Sequence, residues 1–388
     1  MKNMDFDIVV VGGGILGLSH AYHCLKSGYK VALIEKNDLP RDASVRNFGQ
    51  VVPSGFNSQW QQYGLESLRL YKEIQQQVDI TVRQEGTVYI ASNDEEVQLI
   101  EELAAINHRN GYASLLLSQR NCLDRYPGIK PAYARAGLFF PEEIVVDPRL
   151  AVARLIGYCC EQLSLQYIPH TTIKEIVRSN GRIHLDSTSG VTFTADKVFV
   201  CSGNEFQLLY PHLFRQSDLK IVKLQMMDTV PQPSVRIAGS VLTGWTIRRY
   251  ESFQECASYA GIKAREDQQA YHLQHGVHIL FKQLLDGAVV IGDSHHYTPV
   301  SQHAVADFDT SAALNAFMIA EAQKIYQLDD WQIRNTWLGF YCQCASREVY
   351  NETIDEHIHI VTGIGGKGMT GSLGYAKEHI TKLLSVSV

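Results

Sequence analysis

The sequence has no long hydrophobic run, and no apolar stretch approaches the ~18 residues that a membrane span requires. It also lacks a basic run, and its net charge of −6 argues against a surface that binds nucleic acids generally. Its eight cysteines include no C-x-x-C pair, which indicates reduced thiols and predicts a cytoplasmic protein. No internal repeat or low-complexity tract interrupts the 388 residues. These absences favour an ordinary globular protein that is long enough for two domains.

A glycine-rich turn follows the first apolar segment. The run Ile8–Val11 suits a strand that is buried on both faces, and G-x-G-x-x-G then opens a predicted helix. The first glycine permits a tight turn, the second lets a pyrophosphate approach the backbone, and the third lets the helix pack closely on the strand. The amides of the first helical turn face that pyrophosphate. The pattern predicts a dinucleotide site at Gly12, Gly14, Ile15, Leu16 and Gly17.

A carboxylate ends the second predicted strand. The strand is Val31–Ile34, and Glu35 follows it where an acidic residue accepts hydrogen bonds from the ribose hydroxyls of an adenosine. The small, polar loop of residues 41–55 suits a cofactor that runs along it, and a plain connecting loop is the alternative. The candidate cofactor residues here are Glu35, Lys36, Ser44, Arg46, Asn47 and Gly49.

Two later segments repeat the pattern of a strand followed by small residues. Residues 197–201 lead into Ser202 and Gly203, and residues 357–362 lead into a glycine-dense turn that opens the final helix. Helix amides at Gly366 to Thr370 suit the negative charge on the pyrimidine of a reduced flavin, which a nicotinamide enzyme does not carry. A final helix with a flexible start is the alternative. Because these segments lie near both ends of the sequence, we expect a discontinuous nucleotide domain with a substrate domain inserted.

These segments resemble the FAD-dependent D-amino-acid oxidase superfamily, in the branch that contains glycine oxidase and sarcosine oxidase. The resemblance covers nearly the whole length and rests on VVVGGGILGLSHAYHCLKSGYKVALIEK, DASVRNFG, VFVCSG and GIGGKGMTGSLG. It implies an α/β fold class: a Rossmann-like FAD-binding domain of the glutathione-reductase type with an inserted antiparallel-sheet α+β substrate domain. We assign residues 1–85, 147–215 and 333–388 to the FAD-binding domain, and residues 86–146 and 216–332 to the substrate domain.

The resemblance also implies FAD as the cofactor, with the adenine near Ile173 and the flavin ring against the loop of residues 46–49 and the final glycine turn. The further cofactor residues that it implies are Ile173, Cys201, Ser202, Gly203, Gly365, Gly366, Lys367, Gly368, Met369 and Thr370.

Three shorter segments, SVRNFG, IGDSHHY and WLGFY, are similar to a subgroup associated with phosphonate catabolism. Members of that subgroup are linked to the oxidation of 2-aminoethylphosphonate or its N-methyl derivative. The implied reaction is oxidation of the C–N bond of a small anionic amine, with hydride passing to flavin N5 and the imine then hydrolysing. Oxygen or another electron acceptor completes the reaction. The oligomeric state is left open, with a homo-oligomer as one alternative. The alternatives are a D-amino acid, glycine or sarcosine oxidase, and an amine dehydrogenase that passes electrons to a quinone or a protein.

The sequence departs from the amino-acid oxidases at the arginine that clamps the substrate carboxylate. When Asp355 and Glu356 are aligned on the family's Asp-Gly, Tyr350 stands in place of that arginine. Arg347, three residues before Tyr350, is a candidate anchor for the substrate anion, and a surface salt bridge is the alternative role for it. His295 ends a predicted strand, where it faces either the substrate or water, and Tyr341 is either a packing residue or a substrate contact. The candidate substrate-binding residues are Arg347, Tyr341, His295 and Arg46; no catalytic residue and no metal ligand is assigned.

Overall fold

A computed structural model describes residues 3–300 and 308–384 of the chain. Its strands are β1 (Asn3–Asp5), β2 (Ile8–Val11), β3 (Val31–Ile34), β4 (Gln50–Val51), β5 (Thr87–Ala91), β6 (Leu115–Ser118), β7 (Ala136–Phe140), β8 (Ile144–Val145), β9 (Gln166–Ile168), β10 (Ile173–Ser179), β11 (Arg182–Ser187), β12 (Thr192–Ala195), β13 (Lys197–Val200), β14 (Lys220–Thr229), β15 (Ser240–Leu242), β16 (Leu280–Gln283), β17 (Val289–Gly292), β18 (His296–Pro299), β19 (Ile333–Gln343), β20 (Tyr350–Ile354) and β21 (Ile358–Thr362). Its α-helices are α1 (Ile15–Lys26), α2 (Ser58–Gln75), α3 (Asp94–Asn110), α4 (Gln119–Arg125), α5 (Pro148–Leu163), α6 (Pro211–Arg215), α7 (Gly244–Ile247), α8 (Glu251–Gln254), α9 (Tyr259–Lys263), α10 (Tyr271–Gln274), α11 (Ala312–Ile325) and α12 (Gly368–Leu384).

A six-stranded sheet forms the first half of the fold, in the order β20-β21-β13-β2-β3-β9. All neighbours pair in parallel except β20, which pairs antiparallel with β21 at the edge. Successive side chains of β2 enter two different cores, because side chains alternate across a strand. Ile8 and Val10 pack in the core that holds α1, α5 and α12, and Val9 packs in the core shared with the sheet β1-β12-β11-β10. The continuous apolar run of β2 therefore reflects burial on both faces.

A nine-stranded sheet forms the second half, in the order β18-β14-β17-β16-β15-β5-β7-β6, with β19 on the free edge of β14. Its pairs are antiparallel except that β15 pairs in parallel with β5. β17 and β18 follow one another along the same edge of β14, where Met226 pairs with Gly292 and Lys223 pairs with His296. Residues 293–295 therefore stand opposite only residues 224–225. This bulge turns side chains out of the regular alternation.

The two sheets match the predicted α/β class with an antiparallel substrate sheet. The division into domains stays a prediction. Because β19 pairs with β14 along its length, we propose to move the start of the third FAD-binding segment from residue 333 to residue 344. Across residues 3–300 and 308–384, no helix combines the length and apolar character that crossing a bilayer requires.

Candidate active site

A cavity of about 840 Å³ lies where the two sheets meet. Its walls include the carboxyl ends of β2, β3, β13 and β21, and side chains from β14, β16 and β19 of the other sheet. Ligands of open parallel sheets bind outside the carboxyl ends of the strands, and the volume is in the upper part of the ~300–1,000 Å³ range of small-molecule sites. Every residue that the sequence predicted to bind cofactor or substrate lines this cavity except Gly17.

The glycine turn after β2 is fixed by close backbone contacts. Gly12 has a φ of +106°, and a Cβ on it would lie 2.3 Å from the carbonyl oxygen of Cys201. A Cβ on Gly17 would lie 2.0 Å from the carbonyl oxygen of Gly12. Gly17 therefore lets α1 pack against the end of β2, while Gly14, directly before α1, borders the cavity. The glycine cradle fits a bound pyrophosphate at the N-terminus of α1.

Glu35 is buried at the end of β3 and is held through both of its oxygens. Its Oε2 accepts a hydrogen bond from the backbone N–H of Gly13 at 2.9 Å, and its Oε1 accepts one from that of Asn37 at 3.0 Å. A carboxylate has about four lone-pair sites. The carboxylate is therefore oriented while it keeps acceptor capacity for the ribose of an adenosine.

The loop of residues 41–50 is ordered by its own side chains. The backbone N–H of Ile15 donates to Ser44 Oγ at 2.9 Å, and Asn47 Oδ1 accepts from the backbone N–H of Gly49 at 2.7 Å. Arg46 donates from Nε to the Arg41 carbonyl at 2.7 Å and from Nη1 to the Leu338 carbonyl at 3.2 Å. The loop thus connects the start of α1 to β19.

Lys282 holds the same loop from the nine-stranded sheet, and no sequence pattern indicated this role. Its Nζ donates to the carbonyl oxygens of Phe48 and Val146, both at 2.5 Å, and the side chain is fully buried. Burial lowers the pKa of Lys282 to about 7. A Cβ on Gly49 would lie 2.2 Å from the Val146 carbonyl oxygen and 2.8 Å from this Nζ, so the glycine is required where β16 approaches the loop.

The second glycine turn lies beside the start of α1, since a Cβ on Gly368 would lie 3.5 Å from Ile15 Cγ2. Residues 365–367 form a 3₁₀ turn that continues into α12. A Cβ on Gly366 would have only the Tyr341 Oη nearby, at 3.8 Å, so the backbone there is open to a ligand. Lys367 Nζ pairs with Glu251 Oε1 and Glu348 Oε2, both at 2.5 Å. The N-termini of α1 and α12 therefore both present partial positive charge to the cavity, which fits the pyrophosphate and the electron-rich pyrimidine of FAD.

Arg249 lies between α7 and α8 in the wall formed by the nine-stranded sheet, and sequence reasoning missed it. Its Nη2 donates to Tyr297 Oη at 2.9 Å, and this is the only hydrogen bond of the guanidinium among the described residues. By itself, burial would lower the pKa of Arg249. The phenols of Tyr297 and Tyr341 and the carboxylate of Asp293 outweigh that effect and raise the pKa above its usual value. A guanidinium has five N–H donors, so most of them are left for a ligand.

Beside Arg249 the bulge between β17 and β18 brings together His278, Asp293 and His295, all buried. Asp293 Oδ1 lies 2.8 Å from His278 Nε2 and 3.8 Å from His295 Nδ1. His295 Nδ1 also lies 3.1 Å from the Gly276 carbonyl oxygen, and it must be the protonated nitrogen because a carbonyl only accepts. We call these three side chains the His-Asp-His cluster.

The cluster is charged at its centre and neutral at its ends. Burial and the Arg249 guanidinium lower the pKa of His295 to about 3, and burial lowers the pKa of His278. By itself, burial would raise the pKa of Asp293. His295, His278 and Arg249 outweigh that effect and hold the pKa of Asp293 below its usual value. Among the described residues this is the one group whose ligand atoms, within 4.8 Å of one another, match a metal set. The positive charge of Arg249 disfavours a cation there, and we assign no metal.

The predicted substrate residues occupy different parts of the cavity. Tyr341 is enclosed in the wall, where burial raises the pKa of its phenol. Arg347 is exposed at the edge, with Nη2 at 2.9 Å from Glu352 Oε1 and its guanidinium carbon 5.0 Å from the centre of the Tyr350 ring. Tyr350 itself is buried against Phe214, away from the cavity. A role for Arg347 as the anion anchor stays a prediction.

One sequence pattern indicated part of the missed cluster. Two apolar segments, residues 278–281 and 288–291, flank the turn residues Asp286 and Gly287, and this pattern predicts a hairpin. The structure pairs Gln283 with Val289 and Leu280 with Gly292. When this register is continued outward, His278 comes opposite residues 293–294. No comparable pattern indicated Arg249, because two short helices carry it to the cavity.

A parallel sheet with a glycine turn and an acidic residue at its carboxyl edge, roofed by an antiparallel sheet over the same cavity, defines an FAD-dependent flavoprotein. The chain belongs to the DAO family, FAD dependent oxidoreductase, whose model matches residues 7–382. The match confirms the predicted superfamily, the predicted cofactor and the prediction of an FAD-dependent oxidoreductase.

Individual relatives are distant. The chain is 26% identical over 221 residues to gamma-glutamylputrescine oxidoreductase from Escherichia coli (strain K12), a match that spans 51% of this chain and 51% of that protein. It is 23% identical over 367 residues to an opine oxidase subunit from Rhizobium meliloti, covering 88% of this chain and 83% of that protein. The crystal structure of glycine oxidase from Geobacillus kaustophilus matches with a TM-score of 0.76 at 18% identity, covering 99% of this chain and 96% of that chain. This likeness confirms the fold.

Proposed function

We propose that the protein oxidises the C–N bond of a small amine that carries an anionic group. The observation that carries the proposal is Arg249, whose half-buried guanidinium borders the cavity and donates only one hydrogen bond, to Tyr297, among the described residues. Arg347, by contrast, is exposed and already pairs with Glu352. An anion that reached Arg347 would have to displace the carboxylate of Glu352. At Arg249 an anion would accept hydrogen bonds from guanidinium N–H groups that have no other partner in the described part of the chain.

The residues of the wall have distinct tasks in this proposal. Arg249 binds the carboxylate or phosphonate, since a guanidinium forms paired, charge-assisted hydrogen bonds with either group. Tyr250, Tyr297 and Tyr341 line the space around it and limit the access of water. The glycine turns at Gly12 and Gly366, together with Glu35, would hold FAD, and the cofactor would supply the hydride acceptor for the carbon next to nitrogen. The protein then releases an imine that hydrolyses to a carbonyl compound and an amine or ammonia.

Within this class we propose 2-aminoethylphosphonate or its N-methyl derivative as the substrate. The three segments that resemble the phosphonate-associated subgroup span residues 44–49, 291–297 and 337–341, and each of them contributes to the same cavity. Glycine, sarcosine and D-amino acids are the alternative anionic amines, because a guanidinium binds carboxylates as well as phosphonates.

The proposal is tested by anaerobic titration of the holoenzyme. Flavin absorbance is recorded as 2-aminoethylphosphonate, its N-methyl derivative, glycine, sarcosine and D-alanine are added in turn. We expect the phosphonates to bleach the flavin, and Arg249→Met to raise the required concentration about hundredfold, because two charge-assisted bonds are lost. Arg347→Met is the matched control and should change little. Bleaching by neutral amines alone would contradict the proposal, and a loss confined to R347M would move the anchor to Arg347.

The electron acceptor is tested on the same preparation. Oxygen uptake after reduction indicates an oxidase, and slow reoxidation in air that a soluble quinone accelerates indicates a dehydrogenase.

A further inference from the structure

We propose that His295, supported by Asp293, accepts the proton of the substrate ammonium group, so that the amine is neutral when its C–N bond is oxidised. This inference rests on the proposed function, because it requires an amine in the cavity. The need is chemical: an alkylammonium ion has a pKa of about 10.4, so only about 0.1% is neutral near pH 7.5. Without a lone pair on nitrogen, the neighbouring carbon does not release a hydride readily.

His295 has the geometry of a general base. Its Nδ1 carries the proton that is donated to the Gly276 carbonyl at 3.1 Å, so the lone pair of the neutral ring is on Nε2. The ring lies in the cavity wall and is 8% exposed. Asp293 Oδ1, 3.8 Å from Nδ1, stands where a carboxylate stabilises an imidazolium that forms by protonation at Nε2.

Asp293 is in turn held from its other side. His278 Nε2 lies 2.8 Å from Asp293 Oδ1, and His278 Nδ1 lies 3.1 Å from Thr246 Oγ1. The backbone N–H of His278 also donates to the Asp293 carbonyl at 3.1 Å. Asp293 is therefore a positioning residue, whose backbone is hydrogen-bonded to His278 and whose Oδ1 lies close to the rings of both His278 and His295.

The binding of an anion makes His295 a better base. The charged and titratable groups that face His295 are Arg249 between α7 and α8, His278 before β16, Asp293 before β18, Tyr297 on β18 and Tyr341 on β19. Burial and Arg249 disfavour the imidazolium in the empty cavity. An anion bound to Arg249 neutralises the positive charge of the guanidinium, so the guanidinium no longer disfavours the imidazolium. The anionic group of the substrate thus prepares the base that deprotonates its own ammonium group.

The step is a simple proton transfer. One N–H bond of the substrate ammonium breaks, one Nε2–H bond forms on His295, and the electron pair of the broken bond stays on the amine nitrogen. No oxidant or reductant takes part. The products are a neutral amine and an imidazolium between Asp293 and the substrate anion, and the imidazolium returns its proton to solvent when the product leaves.

The test is the pH dependence of anaerobic flavin reduction by 2-aminoethylphosphonate at low concentration, measured on the holoenzyme. A protein with a base uses the ammonium form, so we expect the second-order rate constant to be nearly constant between about pH 7 and 9. His295→Asn keeps an amide nitrogen near the position of Nδ1 but has no basic nitrogen. We expect its rate constant to rise about tenfold per pH unit towards pH 10, because only the free amine reacts.

Neighbouring variants separate this role from a structural one. His296→Asn makes the same change one residue along the strand, outside the cavity lining, and should keep the constant profile. Asp293→Asn should keep the flat shape but lower the rate at least tenfold, because the imidazolium loses its counter-charge. If H295N does not hold FAD, His295→Gln provides the same loss of basicity for the measurement.

The outcomes distinguish this inference from the proposed function. A steep profile in the unaltered protein, or a constant one in both His295 variants, overturns the inference while the proposed function stands. If no anionic amine reduces the flavin at any pH, the proposed function itself is wrong and the inference falls with it.

Discussion

Acid should destabilise this protein through two buried histidines that join α1 to α12. His20 Nδ1 lies 2.8 Å from the Leu16 carbonyl oxygen, so it carries the proton of that ring. His20 Nε2 therefore accepts from His379 Nδ1 at 3.0 Å, and His379 Nε2 accepts from the Asn351 amide at 2.8 Å. Every ring nitrogen is satisfied only while both rings are neutral. A proton on His20 Nε2 would place two donors against each other.

The magnitude follows from the shift at His20. Burial and the neighbouring His379 lower the pKa of His20 to about 3 from 6.5, and the side chain is fully buried. Because the folded-state pKa is depressed, the unfolded chain takes up the proton first as the pH falls. The stabilising contribution is complete above pH 6.5 and is lost progressively below it. By linkage, the free energy of unfolding falls by about 2 kcal/mol between pH 8 and pH 5 on account of His20.

The perturbation is His20→Asn, which places an amide nitrogen near Nδ1 and cannot titrate. The free energy of unfolding is measured by urea denaturation at pH 8 and pH 5 for the unaltered protein and the variant. We expect the variant to be less stable at pH 8 but to lose about 2 kcal/mol less on acidification. His108→Asn, on the exposed surface of α3, is the control. An equal acid-induced loss in H20N and the unaltered protein would refute the reasoning.

Three further changes have clear expected results. Gly17→Ala should abolish FAD binding in a fluorescence titration, because the new Cβ would lie 2.0 Å from the Gly12 carbonyl oxygen. Gly157→Ala, in open space on α5, is the control: it should keep FAD binding and raise the melting temperature slightly. Glu35→Gln should weaken FAD binding at least tenfold in the same titration, because charge-assisted acceptors are lost. Dialysis against EDTA should leave flavin reduction unchanged, since Arg249 opposes a cation at the His-Asp-His cluster; a loss of activity that zinc or iron restores would contradict this.

The cofactor half of the site could be predicted because its requirements are local. In the G-x-G-x-x-G turn Gly17 closely approaches the backbone of Gly12, Gly12 closely approaches the end of the adjacent strand, and no other residue type fits either position. The apolar run of β2 follows from burial on both faces of a parallel sheet, and the carboxylate of Glu35 follows from its place at the carboxyl end of the next strand. Local patterns of this kind are visible in consecutive residues.

The substrate half could not be predicted, because its residues meet only through tertiary packing. Arg249 is held by two helices of four residues each, which have no hydrophobic period of their own. His295 was identified as a residue at a strand end, but its pairing with Asp293 depends on a bulge whose extra residue no alternation pattern specifies. Arg347 was selected as the nearest arginine in sequence, whereas the structure places Arg249 deeper in the cavity wall.

Gly12 and Thr370 both line the cavity, and the ribosome adds them at very different times. About 360 residues separate the two positions, and at ~5–20 residues per second their synthesis takes roughly 20–70 s. During that interval α1 exists without α12, so the buried face of His20 lacks His379. A nascent chain therefore lacks a complete FAD site until α12 has been synthesised. We expect flavin to be captured only after α12 has been synthesised, and a chain released before that point to stay colourless.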